Sequence, residues 1–450
     1  MDEKKRGIML FPCPFKGHLK PMMQLADVLY ANGFSITIIH HTHKYFSATT
    51  HPHFTLLEIT GCSTENDLSH LSSEDIVPVT QKLIASSVEP LRNCLAMSLS
   101  TRTDVPIVCL IFDTVWSFSQ AVAAEFNLPR MCLRTTSISA LRALTALHSL
   151  INVYPQGLYS QQEAPVEELP PLKVKDLPLM KARAFDRTFH ELSSTAIAQS
   201  NTSAGLILNS DEGLESEDLK KLKEDNDVPI YAIGPSLRRL SCSCIPAEDR
   251  SCLKWLDKQE MNSVLYVSFG SIATIADVEF TEIACGLVSS GVPFIWVLRS
   301  GLVTGLDCTD LLTTSVGEIV RERGCVVEWA PQVDILAHSS IGGFWTHSGW
   351  NSTFESLCEG VPMICSPNFG DQRVNARYVS DVWKVGIHME GSFEKDAIEI
   401  AIRKLMENDE GKALRNNAAI LKKKLQLSSD YGGYSSLHLQ RLVAHISSFR

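Results

Sequence analysis

Two parts of the chain bring together residue types that can do chemistry. The first is Gly17-His18. It follows an apolar run, Gly7 to Pro12, and opens a stretch with Met22, Leu25, Ala26 and Leu29 at helical spacing that ends at Gly33. This sets an imidazole at the end of a strand and the start of a helix. A helix N-terminus disfavours the protonated ring, so a neutral His18 there can serve as a general base; the plainer reading is a histidine that caps the turn or packs in a cleft. Asp113 ends a second apolar run, Ile107 to Phe112, of the kind a buried parallel strand shows. A buried carboxylate needs a partner. His18 is one candidate, which would make a His–Asp dyad with Asp113 fixing the tautomer, the orienting logic of hydrolase triads without the serine. A helix cap ahead of Ser117 to Phe126 is the other.

The second part runs from Trp329 to Gln372. Its order is a strand (Ile341 to Thr346), a sharp turn at His347-Ser348-Gly349, a helix opening near Trp350, Gly360 as its stop, and a strand through Met363-Ile364-Cys365. That is one βαβ unit with its polar residues at the carboxyl ends of the strands, where open α/β sheets bind ligands. His347, Ser348, Asn351 and Ser352 surround a helix N-terminus, a site that favours an anion, most often a phosphate. Glu355 lies one turn beyond Asn351 on the same face and can accept hydrogen bonds from a ribose.

The elements that must position these residues alternate. Phe34 to His40, Met131 to Leu133 and Leu206 to Asn209 read as further strands of the first half, with helices between them, and the second half restarts with Val264 to Phe269 and Phe294 to Leu298. Strands alternating with helices predict α/β architecture with parallel sheets. At 450 residues the chain exceeds what one core usually supports. A shift to Ser, Arg, Cys and Pro from Gly234 to Asp249 predicts a linker over 234–250. The expected domains are residues 1–233 and 251–434, two facing Rossmann-like units with a cleft between them. Helices are expected from Glu394 to Leu425 and from about Ser435 to Ser448.

Composition narrows the function. A net charge of −10 argues against a nucleic-acid partner and an anionic membrane surface. No apolar run approaches the ~18–20 residues that span a bilayer, and Pro12 and Pro14 break the N-terminal run before it resembles a secretory signal. The scattered cysteines read as reduced, buried small hydrophobes, which predicts a cytoplasmic protein. His40, His41, His43, His51 and His53 crowd one stretch and suggest a metal, but they lack the register of a zinc helix and any carboxylates among them. A loop on the acceptor side of the first domain is the preferred reading, with no metal site. No G-x-G-x-x-G after a strand, Walker loop, H-E-x-x-H or G-x-S-x-G is present, so dehydrogenase, kinase and hydrolase readings lack their fingerprints.

The stretch WAPQVDILAHSSIGGFWTHSGWNSTFESLCEGVPMICSPNFGDQ resembles the signature box of plant family-1 UDP-dependent glycosyltransferases almost end to end, and the resemblance covers the whole chain. What it implies is a GT-B fold whose last helix crosses back onto the first domain, and inverting transfer of glucose from UDP-glucose to a hydroxyl of a small lipophilic plant metabolite. Catalysis would rest on His18 and Asp113. In the donor site Trp329 would stack on uracil with Ala330 and Gln332 beside it. His347, Asn351, Ser352 and Ser271 would hold the diphosphate and Glu355 the ribose. Trp350, Asp371, Gln372 and Thr135 would contact the sugar, the closing Gln being similar to glucose-using members. Ser348 stands where Cys is commoner, and Lys16 where a neutral residue is. No cofactor beyond the co-substrate UDP-glucose and no metal is implied, and a monomer is expected. The acceptor pocket would be lined by roughly 42–75 and 141–187. The branch resembled includes cytokinin, benzoxazinoid, flavonoid and steviol glucosyltransferases, so it leaves the acceptor open. N- or S-glucosylation, sugar-nucleotide hydrolysis and nucleotide-sugar binding without turnover are the alternatives.

Overall fold

The computed structural model describes residues 6–41, 46, 51–59, 75–100, 105–153, 161–178, 183–238, 250–303, 320, 322–391 and 393–450. The apolar runs of the first half form β1 (Gly7–Phe11), β2 (Ser35–His41), β3 (Thr55–Ile59), β4 (Ile107–Asp113), β5 (Arg130–Arg134), β6 (Gly205–Leu208) and β7 (Ile230–Ala232). They make a seven-stranded sheet in the order β3-β2-β1-β4-β5-β6-β7. The second half supplies β8 (Val264–Ser268), β9 (Phe294–Val297), β10 (Gly324–Val327), β11 (Ile341–Thr346), β12 (Met363–Cys365) and β13 (Gly386–His388). Their order is β10-β9-β8-β11-β12-β13. Neighbours pair in parallel throughout. Helices cover both faces of such sheets, so β1, β5, β6, β8 and β11 are buried at every position, and all but β5, which begins and ends in arginine, read as near-continuous apolar runs.

Both strand orders reverse direction once. In the first sheet the reversal lies between β1 and β4, with Phe11 beside Phe112; in the second it lies between β8 and β11, with Ser268 beside Thr346. Such switch points open a crevice at the carboxyl ends of the strands. His18 follows β1 in the first turn of helix Lys16–Ala31, and Asp113 is the last residue of β4. Ser271 follows β8 and His347 follows β11. The candidate residues therefore sit at the two crevices.

Each sheet has its own core. Ile8, Leu10, Met22, Leu25, Ile38 and Ile111 belong to the first; Leu265, Val267, Phe280, Trp296, Trp345 and Ile402 to the second. The final helix, Tyr434–Ser448, places Leu442 and Ile446 in the first core although the helices before it cover the second sheet. Its His445 Nδ1 meets the Tyr231 hydroxyl at 2.7 Å, and Ser435 Oγ accepts from the Ser236 N–H at 3.1 Å.

Several local expectations change. His40 lies in the strand expected over Phe34 to His40 and His41 extends it by one residue, both buried, so the loop reading does not hold for these two. His40 Nδ1 faces the His41 carbonyl at 2.8 Å and His41 Nε2 the Ser87 hydroxyl at 2.7 Å. His51 stacks on Phe54 and His53 on Tyr30, while His43 lies outside the described residues. The closing helical run is two helices, Lys395–Met406 and Asp409–Ser429. Gly411 packs so tightly at the break that a Cβ would come 2.0 Å from the Leu405 carbonyl. The expected linker begins with a buried helical turn, Gly234–Leu237; 239–249 lie outside the described residues. Most of 42–75 does too, and the start of 141–187 is helix, within Ile138–Val153.

Leu442 is fully buried between the last helix and the first sheet. Leu442→Ala should lower stability by roughly 2–5 kcal/mol, read as a lower urea midpoint at unchanged slope.

Candidate active site

His18 Nδ1 lies 2.8 Å from Asp113 Oδ2. A carboxylate only accepts, so Nδ1 carries the hydrogen and the lone pair is left on Nε2. The other carboxylate oxygen accepts the Val115 N–H at 3.0 Å, which holds the fully buried Asp113 in place. Asp113 thus caps its own turn and also orients His18. The Thr135 hydroxyl is 3.3 Å from the same Nδ1. Burial would lower the pKa of His18, yet the Asp113 charge and hydrogen bond carry it above the ordinary 6.5. The helix N-terminus expected to keep the ring neutral is therefore outweighed, and the result is a stronger base.

Facing this pair, helix Trp350–Glu359 opens after Gly349 in extended conformation and closes at Gly360 with φ 69°. Ser348, φ 63°, makes the sharp turn ahead of it, a strained conformation for a non-glycine residue. The His347 ring is clamped between two glycines: a Cβ on Gly270 would come 2.5 Å from the ring, and one on Gly349 2.4 Å. Burial lowers the His347 pKa to about 4, so the ring is neutral and offers one N–H. Arg299 fixes the loop bearing Gly270 and Ser271, donating from Nε to the Gly270 carbonyl at 2.9 Å and from Nη2 to that of Ala273.

One cavity of about 530 Å³ is lined by His18, Thr135, Ser271, Trp329, Ala330, Gln332, His347, Trp350, Asn351, Ser352, Glu355 and Asp371. Of the site residues singled out from sequence, Asp113, behind His18, Ser348 and Gln372 stand outside its lining. Gln372 Oε1 instead accepts the N–H groups of Asn368 and Phe369 at 2.8 and 3.1 Å and shapes the loop before it. Trp350 and Asn351 also join the two halves. The Trp350 indole donates to the Asn209 carbonyl at 2.6 Å, and Asn351 Nδ2 donates to that of Gly17 at 2.6 Å while its Oδ1 accepts from Asn209 Nδ2.

Glu355 is the centre of a charged knot. Lys20 Nζ meets Oε1 at 2.6 Å, Arg238 Nη1 lies 3.4 Å from it, and Gln332 Nε2 donates to Oε2 at 2.8 Å. Burial would raise the Glu355 pKa, but the two cations bring it down to about 2. Asp371 behaves oppositely: burial raises its pKa against the hydrogen bond from Asn375 Nδ2. Lys16 lies over the Trp329 ring, 3.6 Å from its centroid, so the cation flagged beside His18 faces the opposite wall of the cavity. Among the described residues no three His, Cys, Asp or Glu side chains converge as metal ligands.

Comparison with known proteins identifies this arrangement. Residues 230–423 match the family model for UDP-glucoronosyl and UDP-glucosyl transferase. UDP-glycosyltransferase 76B1 of Arabidopsis thaliana is 41% identical over 99% of this chain and 99% of its own. The chain belongs to the UDP-glycosyltransferases. Os79 from O. sativa, solved with UDP, superposes with a TM-score of 0.83 at 25% identity, over 98% of this chain and all of that one. Phytolacca americana UGT2, solved with UDP-2fluoro-glucose and pterostilbene, gives 0.82 at 29% identity, over 99% of this chain and all of that one. The two facing Rossmann-like units are the GT-B fold of these enzymes.

In this glycosyltransferase sequence reasoning missed Lys20, Arg238, Asn209, Asn375 and Arg299. Lys20 sits two residues past His18, and that proximity was an available signal. Arg238 fell in the stretch read as linker, and the others act on partners remote in sequence. The Glu355 knot predicts a pH signature. Its folded pKa is depressed, so the stability it contributes is present above the ordinary 4.5 and is lost as pH falls toward about 2. The stability gap between the protein and Glu355→Gln should narrow by about 1 kcal/mol from pH 6 to pH 3.5 in urea titrations. A gap constant with pH would count against the knot.

Proposed function

We propose that this UDP-glycosyltransferase transfers glucose from UDP-glucose, with inversion, to a hydroxyl of a small plant metabolite. The observation that carries this reading is the oriented His18–Asp113 pair at one wall of a cavity whose other wall is a helix N-terminus with His347, Asn351 and Ser352. The acceptor hydroxyl gives its proton to His18 Nε2 as its oxygen bonds to the anomeric carbon from the face opposite UDP. The bond to the diphosphate oxygen breaks, and UDP leaves with the electron pair. The transition state is oxocarbenium-like, comparable to that of glycosidases. Asp113 stabilises the imidazolium that forms.

Charge on the departing diphosphate is met by the helix N-terminus and by the cations lining the cavity, among them Lys16, Lys20 and Arg238. In this proposal those groups act without a metal ion. Trp329 offers an aromatic face to uracil and Glu355 a carboxylate to the ribose hydroxyls. The ribose then shares Glu355 with Lys20, or displaces it. Asp371 and Thr135 line the cavity where the hexose would lie. Every described cysteine is a free thiol, which suits a cytoplasmic enzyme.

The test is kinetic. His18→Ala should cut kcat by roughly 10²–10⁴ while UDP still binds by calorimetry. Retained turnover would refute the base, and a protein that released free glucose equally well without acceptor would be a hydrolase. With a phenolic acceptor, the acid limb of kcat/KM should lie above pH 6.5, because Asp113 raises the His18 pKa. Asp113→Asn should move that limb to lower pH and slow turnover; an unmoved limb would separate Asp113 from the base.

A further inference from the structure

Strand β5 carries two arginines four residues apart, on the same face by the alternation of a strand. Arg130, 3% exposed, is saturated. Its Nε donates to Gln120 at 3.0 Å, Nη1 to Ser119 Oγ and Cys132 Sγ, and Nη2 to the Gln199 carbonyl and Thr202 Oγ1. Arg134, 6% exposed, stands at the carboxyl end of the strand, the end at which α/β sheets take ligands. Only its Nε is engaged, donating to Thr136 Oγ1 at 3.2 Å. Among the described residues neither Nη group makes a hydrogen bond and no carboxylate comes within ion-pairing distance.

A guanidinium so little exposed, with its fork open, favours an anion over the little water that reaches it. The carboxylates that temper its charge, Asp113 and Asp371, already hold His18, the Val115 N–H and Asn375. Other unsatisfied polar groups lie close by. His148 of helix Ile138–Val153 meets His190 of helix Arg183–Asn201 edge to face with centroids 4.2 Å apart, and each has a buried Nε2 without a partner. The charge of Arg134 reaches both His148 and His18. Thr135, the next residue, hydrogen-bonds with His18 and lines the cavity. The open fork thus lies within electrostatic reach of the base, in the half of the molecule that faces the acceptor.

We propose that Arg134 binds a carboxylate of the acceptor, so that the preferred acceptors are hydroxylated carboxylic acids. This rests on the glucosyl-transfer reading above. The two Nη groups match the two carboxylate oxygens in a planar fork, a geometry lysine cannot supply. The carboxylate remains unchanged through the reaction. The separate hydroxyl loses its proton to His18 and forms the bond to the anomeric carbon as the bond to UDP breaks. A neutral acceptor leaves the guanidinium charge uncompensated, and this is the source of the discrimination.

The experiment compares the three hydroxybenzoates and 2-hydroxyhexanoate with their methyl esters, with UDP-glucose as donor, for the protein and for Arg134→Gln. A trichlorophenol, which has no carboxylate, serves as common acceptor. Each acid should exceed its ester in kcat/KM by roughly ten- to a hundredfold. Arg134→Gln should abolish that preference through KM for the acid, leaving trichlorophenol turnover and UDP binding in place. Acids and esters used equally, or a preference unchanged in Arg134→Gln, would overturn the proposal while trichlorophenol turnover left the transferase reading intact. A second arm offers UDP-glucuronate. If Arg134→Gln instead erased a preference for that donor over UDP-glucose, the carboxylate would be the donor's and the acceptor assignment would fail. Absence of transfer to any acceptor would remove both readings.

Discussion

Asp113 ends a strand with no solvent contact at all, and a carboxylate so placed must find hydrogen-bond donors or destabilise the fold around it. It finds two, the Val115 N–H across its own turn and His18 from the neighbouring switch-point strand. The second bond fixes which imidazole nitrogen carries hydrogen and leaves the other as a base. It also requires β1 and β4 to be neighbours, because residues 95 positions apart must meet. The reversal of strand order between β1 and β4 is therefore a chemical requirement as well as a topological one. The second sheet repeats the reversal and sets His347 opposite.

The two halves meet through groups that also belong to the site. Trp350 and Asn351 bond to Asn209 and Gly17, and Asn375 accepts from the Ser137 hydroxyl while donating to the Ser348 carbonyl and to Asp371. Arg377 pairs with Asp176 at 3.0 Å further along the seam. The bonds made by Trp350, Asn351 and Asn375 thus set the positions of residues in the cavity wall. A shift of one half against the other would move the base relative to the helix N-terminus. The fully buried Asn375 is the clearest case, since one amide holds the turn, an acidic side chain and the opposite half together.

Much of this was legible in the chain because parallel strands buried on both faces leave uninterrupted apolar runs. Those runs located β1, β4, β6, β8, β9 and β11, and polar residues at their ends located His18, Asp113 and His347. The long signature stretch located most of the cavity wall opposite His18. β7 and β13, three residues each, carry too little pattern to be read alone, whereas the equally short β12 was marked by the signature stretch around it. Lys20, Arg238 and Asn375 were hidden for a different reason. Their roles arise from partners 335, 117 and 238 positions away, Lys20 and Arg238 both meeting Glu355 and Asn375 meeting Ser137, and no periodicity encodes such a meeting. Gln372 shows the converse: its position in the box was plain, but its carbonyl oxygen is occupied by backbone N–H groups.

The cleft also resolves the conflict between a chain of net charge −10 and an anionic co-substrate. Lys16, Lys20, Arg238 and Arg250 line the same cavity as Asp334, Glu355 and Asp371, so its wall is close to balanced in charge where the whole molecule is acidic. These cations alter the carboxylates among them unequally. Glu355, touched by Lys20 and Arg238, is held ionised far below the ordinary range, whereas Asp371, met chiefly by an amide, is pushed upward by burial. Two acidic side chains in one cavity are thereby given different affinities for protons. The ionised one suits a neutral hydroxyl donor; the other, less committed to charge, tolerates a site from which water is excluded. The partners that make this distinction come from both halves of the molecule, so it exists only when the cleft is assembled.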